Sequence, residues 1–147
     1  MTQQIPMVDY LELGDDGPTL VAHECQVCRA LYFERRNACA HCGGDDFAPQ
    51  RLARTGVVKS FTIVHRSAPG VEVPFFSVVV ALDGGGFVKS SLRDVEVDPA
   101  SITRNLPVEL TTYLAGTDAE GTEAIAFAFR PRTNGSPGST KGAASYA

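Results

Sequence analysis

Between residues 54 and 130 the apolar and polar positions follow the two-residue rhythm of β-strands. GVVKSFTIVHR (56–66) sets Val57, Lys59, Phe61, Ile63 and His65 on one face and Val58, Ser60, Thr62, Val64 and Arg66 on the other, with β-branched residues dominating. PFFSVVVALD (74–83) is a nearly continuous apolar run, and the turn DGGG leads from it into FVKSSL (87–92), which together read as a hairpin. LPVELTTYLAG (106–116) and TEAIAFAFR (122–130), joined by TDAEG, add two more strands. Between the third and fourth strands DPASITR (98–104) predicts a short helix, with Asp98 as N-cap and Pro99 at the first helical position. Five strands of this length would leave apolar edges open, and closure into a small Greek-key barrel of the OB type removes them.

The rest of the chain follows other rules. Residues 1–24 hold two short apolar runs around GDDGP, which predicts a hairpin or an extended arm. Residues 25–50 hold all four cysteines, and their interior is too short to build a core. The expected organisation is therefore an N-terminal arm (1–24), a cysteine ribbon (25–50), a barrel domain (51–132) and a Gly/Ser-rich tail (133–147), whose composition predicts flexibility. The fold class is mainly β.

In CQVCRALYFERRNACAHC two C-x-x-C pairs stand ten residues apart. Each pair lets one tight turn present two thiolates, and two such knuckles complete a tetrahedron. Cys25, Cys28, Cys39 and Cys42 are thus the expected ligands of a structural zinc ion, with no coordination site left for water or substrate. Rubredoxin-type iron needs the same geometry and would make the chain an electron carrier. A redox dithiol would call for a βαβ unit that is nowhere suggested. Gly43 follows the second knuckle, where a positive φ is commonly needed, and Arg29 takes the same place after the first.

Charge refines this picture. The chain carries a net charge of −4, yet residues 29–66 hold seven basic side chains (Arg29, Arg35, Arg36, Arg51, Arg54, Lys59 and Arg66) against three acidic ones. This local excess could face phosphates. The start of the chain has no secretory pattern, and no apolar run approaches the ~18 residues of a membrane span, so the expected location is the cytoplasm, where cysteines stay reduced.

Catalytic signals are thin. His65 near Ser60, Ser67 and Asp83 has no nucleophile elbow to support a triad. DGGG lacks the Lys-Ser/Thr of a phosphate loop, and Asp94, Glu96 and Asp98 alternate as a solvated edge does. No catalytic residue is assigned, and a binding role is expected. A nucleic-acid-binding OB module is the alternative, against which the acidic net charge and the absence of Trp both count.

The ordered set of the four cysteines, LYFERRNAC, GVVKSFTIVHR, PFFSVVVALDGGGFVKSSLRDV, VDPASI with LPVEL, and FAFRP resembles a known family across residues 25–131. These are the proteins with a rubredoxin-like zinc ribbon and an OB-fold, known as domain of unknown function 35 and associated with acyl-CoA. The chain departs from that pattern at LELGDDGPTL, where many members have an amphipathic helix, and at Asn37-Ala38, where a proline is common. The resemblance implies a non-catalytic subunit of a heteromeric acyl-CoA enzyme. Its partner would be a thiolase-superfamily protein, such as a thiolase, an acyltransferase or a retro-aldolase of steroid or aromatic degradation, encoded nearby. On that footing Arg66, Lys89 and Arg93 are expected to meet the phosphates of a CoA thioester, and Phe75 and Phe76 its pantetheine arm or the partner. Tyr32, Phe33, Arg35 and Arg36, which the cysteine staple presents, are the expected partner contacts.

Overall fold

The computed structural model describes residues 3–132; the tail predicted for 133–147, with Tyr146, lies outside the described residues. Two compact units divide the described residues, one taking them up to Ala53 together with Leu114–Ala126, the other taking Arg54–Tyr113 and residues 127–132.

The first unit is built on β3 (Gly17–Cys25), which pairs antiparallel with β2 (Leu11–Gly14) over its first half and with β4 (Leu31–Tyr32) and β5 (Phe47–Arg51) over its second. Asp15 and Asp16 form the two-residue turn between β2 and β3, and Gly17 leaves that turn at φ 113°, a backbone state that glycine adopts without steric cost. Leu11, Leu20, Ala22, Cys25 and Leu52 are buried in this unit. β3 therefore carries a small apolar core straight into the first cysteine. β1 (Gln4–Pro6) pairs parallel with residues 123–125.

The second unit holds β6 (Thr55–Val64), β7 (Phe75–Leu82), β8 (Phe87–Leu92) and the inner parts of β9 (Pro107–Thr117) and β10 (Glu123–Pro131). The order β10-β8-β7-β6-β9, with β9 pairing back to β10, closes a five-stranded barrel. β7 alternates strictly: Phe76, Val78, Val80 and Leu82 are buried while the residues between them are half-buried. With Val57, Val58, Val88, Leu92, Val108, Leu110, Ala128 and Phe129 they form the barrel core. At Gly56 the β7 backbone comes so close that an added Cβ would lie 2.3 Å from the Ala81 carbonyl oxygen. No other residue fits there without moving a strand.

Two expectations need correction. A bulge between Val58 and Ser60 breaks the simple alternation of β6, so Val57 and Val58 are both buried while Lys59 through Thr62 are all exposed. The predicted helix at 98–104 is a single 3-10 turn, Pro99–Ser101. Asp98 does cap it, accepting a hydrogen bond from the Ala100 N–H at 2.8 Å, but Ile102 is already extended and buried, and Asn105 turns at φ 63° to donate its N–H to the Val58 carbonyl. Tertiary bonds end the helix after one turn. No helix among the described residues is long and apolar enough to cross a membrane.

Candidate functional site

The four cysteines come together as two matching knuckles. In the first, the Cys25 N–H donates to the Ala30 carbonyl at 2.8 Å and the Arg29 N–H to the Cys25 carbonyl at 2.9 Å. In the second, the Cys39 N–H donates to the Gly44 carbonyl at 2.6 Å and the Gly43 N–H to the Cys39 carbonyl at 2.8 Å. Arg29 (φ 71°) and Gly43 (φ 81°) hold the same left-handed position in the two turns. Glycine adopts that state freely, whereas a side chain there costs about 1–2 kcal/mol.

The four sulfurs lie within 4.8 Å of one another, with Cys25 Sγ to Cys42 Sγ and Cys28 Sγ to Cys39 Sγ both at 3.6 Å. A tetrahedral ion with Zn–S bonds of ~2.3 Å needs sulfur–sulfur edges of ~3.8 Å. The donor set fits a tetrathiolate metal centre. The site is closed by protein on one side: Cys25 and Cys39 are buried, Cys28 is half-buried and Cys42 is exposed.

Hydrogen bonds to sulfur are unevenly shared. The His41 N–H reaches Cys39 Sγ at 3.4 Å, and the Gly44 N–H reaches Cys42 Sγ at the same distance. Tyr32 adds a bond that the sequence did not announce: its hydroxyl lies 3.3 Å from Cys39 Sγ and accepts from the Ala40 N–H at 3.1 Å. The Tyr32 hydroxyl is the leading cause that pulls the Cys39 thiol down to about 5. Against the Ala30 N–H, which favours the thiolate, burial and the neighbouring sulfurs push the Cys28 thiol up to about 12. The Cys28 and Val27 N–H groups lower Cys25. Backbone donors thus favour thiolate at all four positions, and the net shift is downward at Cys25 and Cys39.

The residues expected to meet a partner divide into two kinds. Tyr32 is half-buried, with its ring edge-on to Phe47 at 6.1 Å and the Arg36 guanidinium 4.4 Å above it. Phe33 packs on Tyr10 at 4.7 Å. Both aromatics hold the ribbon together, while Arg35 and Arg36 remain exposed. The basic patch is also thinner than its count, since Arg29 pairs with Glu24 at 3.1 Å and Arg51 with Glu12 at 2.9 Å.

Within the barrel unit, register brings some of the CoA candidates together. Phe75 pairs with Val64, two residues before Arg66, and Phe76 pairs with Leu92, one residue before Arg93. Arg66, Phe75 and Arg93 therefore share one end of the β6–β7–β8 sheet. Lys89 pairs with Val79 and stands about 13 Å farther along the outward row of β8. The Arg93 guanidinium sits 4.1 Å over the Tyr113 ring. Phe76 is fully buried and edge-on to Phe61, so it serves the core and is not available to a pantetheine arm.

Comparison with known proteins gives two findings. Residues 49–112 match the family described as ChsH2, C-terminal OB-fold domain. A solved structure described as "Ltp2-ChsH2(DUF35) aldolase" contains a chain 31% identical to this one, the match covering 77% of this chain and 84% of that chain with a TM-score of 0.59. None of the curated proteins matches.

Proposed function

Because the chain belongs to the DUF35 family of cysteine-ribbon and OB-fold proteins typified by ChsH2, we propose that it is the non-catalytic subunit of a heteromeric acyl-CoA enzyme whose catalytic partner is an aldolase-type member of the thiolase superfamily. The observation that carries this reading is the 31% identity maintained over 77% of the chain to a protein whose structure is described as an Ltp2–ChsH2 aldolase.

In this reading residues 25–50 are a zinc ribbon and residues 51–132 the OB domain. Zinc closes the four-sulfur site and supplies structure, not chemistry. The ribbon's exposed Arg35 and Arg36 meet the partner, and the barrel end formed by Arg66, Phe75 and Arg93 attracts the phosphates and arm of the CoA thioester, with Lys89 flanking it. The partner is encoded nearby, and both work in the cytoplasm.

The test is reconstitution. The thiolase-like protein from the neighbouring gene is assayed for acyl-CoA cleavage or condensation with and without this chain. The expected result is activity that rises at least tenfold on addition and saturates at a fixed ratio of the two proteins. Full activity of the partner alone would refute the reading.

A further inference from the structure

A recess in the barrel unit lies beside the bulge that upset the alternation of β6. β9 pairs with β6 only over Thr55–Val57. From Lys59 onward no strand among the described residues pairs with the edge of β6 that faces away from β7, and Ile102–Arg104 line the recess there. Between the two lies a cavity of about 240 Å³ whose lining, besides Val58, is Lys59, Ser60, Phe61, Ile102, Thr103 and Arg104.

Three features of this lining act together. Lys59 is held in place by the Asn105 side-chain oxygen at 3.0 Å, and Asn105 is itself fixed by its bond to the Val58 carbonyl. No carboxylate lines the cavity, and neither Lys59 nor Arg104 takes part in an ion pair among the described residues, although the chain as a whole is acidic. Phe61 is supported edge-on by the buried Phe76 and remains 39% exposed, leaving part of its ring open to the cavity. Two cations and two hydroxyls beside an apolar ring are the equipment for an anion joined to a flat apolar group. The volume falls below the ~300 Å³ at which sites for whole ligands begin, so the recess suits one end of a ligand.

We propose that this recess binds the phosphorylated end of a small molecule, its phosphate held between Lys59 and Arg104 and a flat ring laid on Phe61. The site is separate from the Arg66–Arg93 end and does not depend on the acyl-CoA reading.

The experiment uses the full zinc-loaded chain and calorimetric titration with AMP, adenosine, inorganic phosphate and coenzyme A. AMP is expected to bind, phosphate to compete weakly and adenosine not to compete. Lys59→Met and Arg104→Met are each expected to weaken AMP about tenfold or more, and Arg51→Met, in the other compact unit, to leave it unchanged. Both altered side chains are exposed, so folding is retained and far-UV spectra serve as the check. AMP binding lost in K59M, with no binding of coenzyme A, upholds the recess while removing the acyl-CoA reading. Coenzyme A binding that needs Arg66 but ignores Lys59 and Arg104, with no AMP binding, overturns the recess and leaves that reading standing. Salt-sensitive binding of a single-stranded oligonucleotide through Lys59 and Arg104, tighter than AMP, would also overturn it by making the surface a nucleic-acid groove.

Discussion

The ribbon and the barrel achieve order by different means. The segment from Cys25 to Phe47 buries two cysteines but no large side chain completely, and its shape comes from four sulfurs, a few knuckle hydrogen bonds and the ring of Tyr32. The barrel buries Phe76, Phe129 and a layer of valines and leucines around a closed sheet. If the ribbon holds the proposed zinc it stands or falls with its ion, whereas an apolar core loses stability in increments.

The widest separation between the two is expected from Cys25→Ser together with chelation. The serine variant should bind less than one zinc per chain, and amide hydrogen exchange should rise through residues 25–47 while Val78, Val80 and Val88 stay protected. Equal loss of protection in the barrel would break the contrast. In the other direction, Phe76→Ala should cost about 3–5 kcal/mol in denaturant unfolding of the barrel through lost burial and the cavity left behind, with zinc content unchanged at one per chain. A drop in zinc content would show that the two regions are not energetically distinct.

How much of this was visible in the sequence follows the same division. The cysteine set was legible because its geometry is local: two residues between ligands define a knuckle, and ten residues between knuckles allow them to meet. The five strands were legible because β-branched and apolar residues recur at strand spacing between strong turns. The bulge at Val58–Ser60 was not, because it is set by β6 having to serve β7 along its length and β9 only at its start. Asp98 and Pro99 signalled where a helix begins but carried no signal of its length, which is limited by the bond from Asn105 to Val58. Tyr32 read as a surface aromatic, since nothing in a spacing of seven residues tells that its hydroxyl turns back to Cys39. The pairing that gathers Arg66, Phe75 and Arg93 likewise exists only once the register is known.

Smaller changes sharpen the comparison inside the ribbon. Tyr32→Phe retains the ring between Arg36 and Phe47 but deletes the bond to Cys39, so zinc transfer to a chelator should quicken roughly tenfold, as for other groups that support metal ligands. The cobalt-substituted protein should show a shifted thiolate charge-transfer band; an unchanged band and rate would make Tyr32 a packing residue only. Smallest is Arg29→Gly, which gives the first knuckle the residue that the second already has. Relief of the left-handed backbone should stabilise the ribbon by about 1 kcal/mol, since the exposed pair with Glu24 contributes little. Thermal release of zinc is the readout, and a lower release temperature would contradict the strain argument.

The most direct measurement is coexpression of this chain with the aldolase-type partner proposed for it, followed by size-exclusion chromatography with light scattering. The two are predicted to elute as one species of fixed stoichiometry that persists on dilution and carries one zinc per copy of this chain. Separate elution of the two proteins, with the partner soluble and fully active alone, would contradict the account.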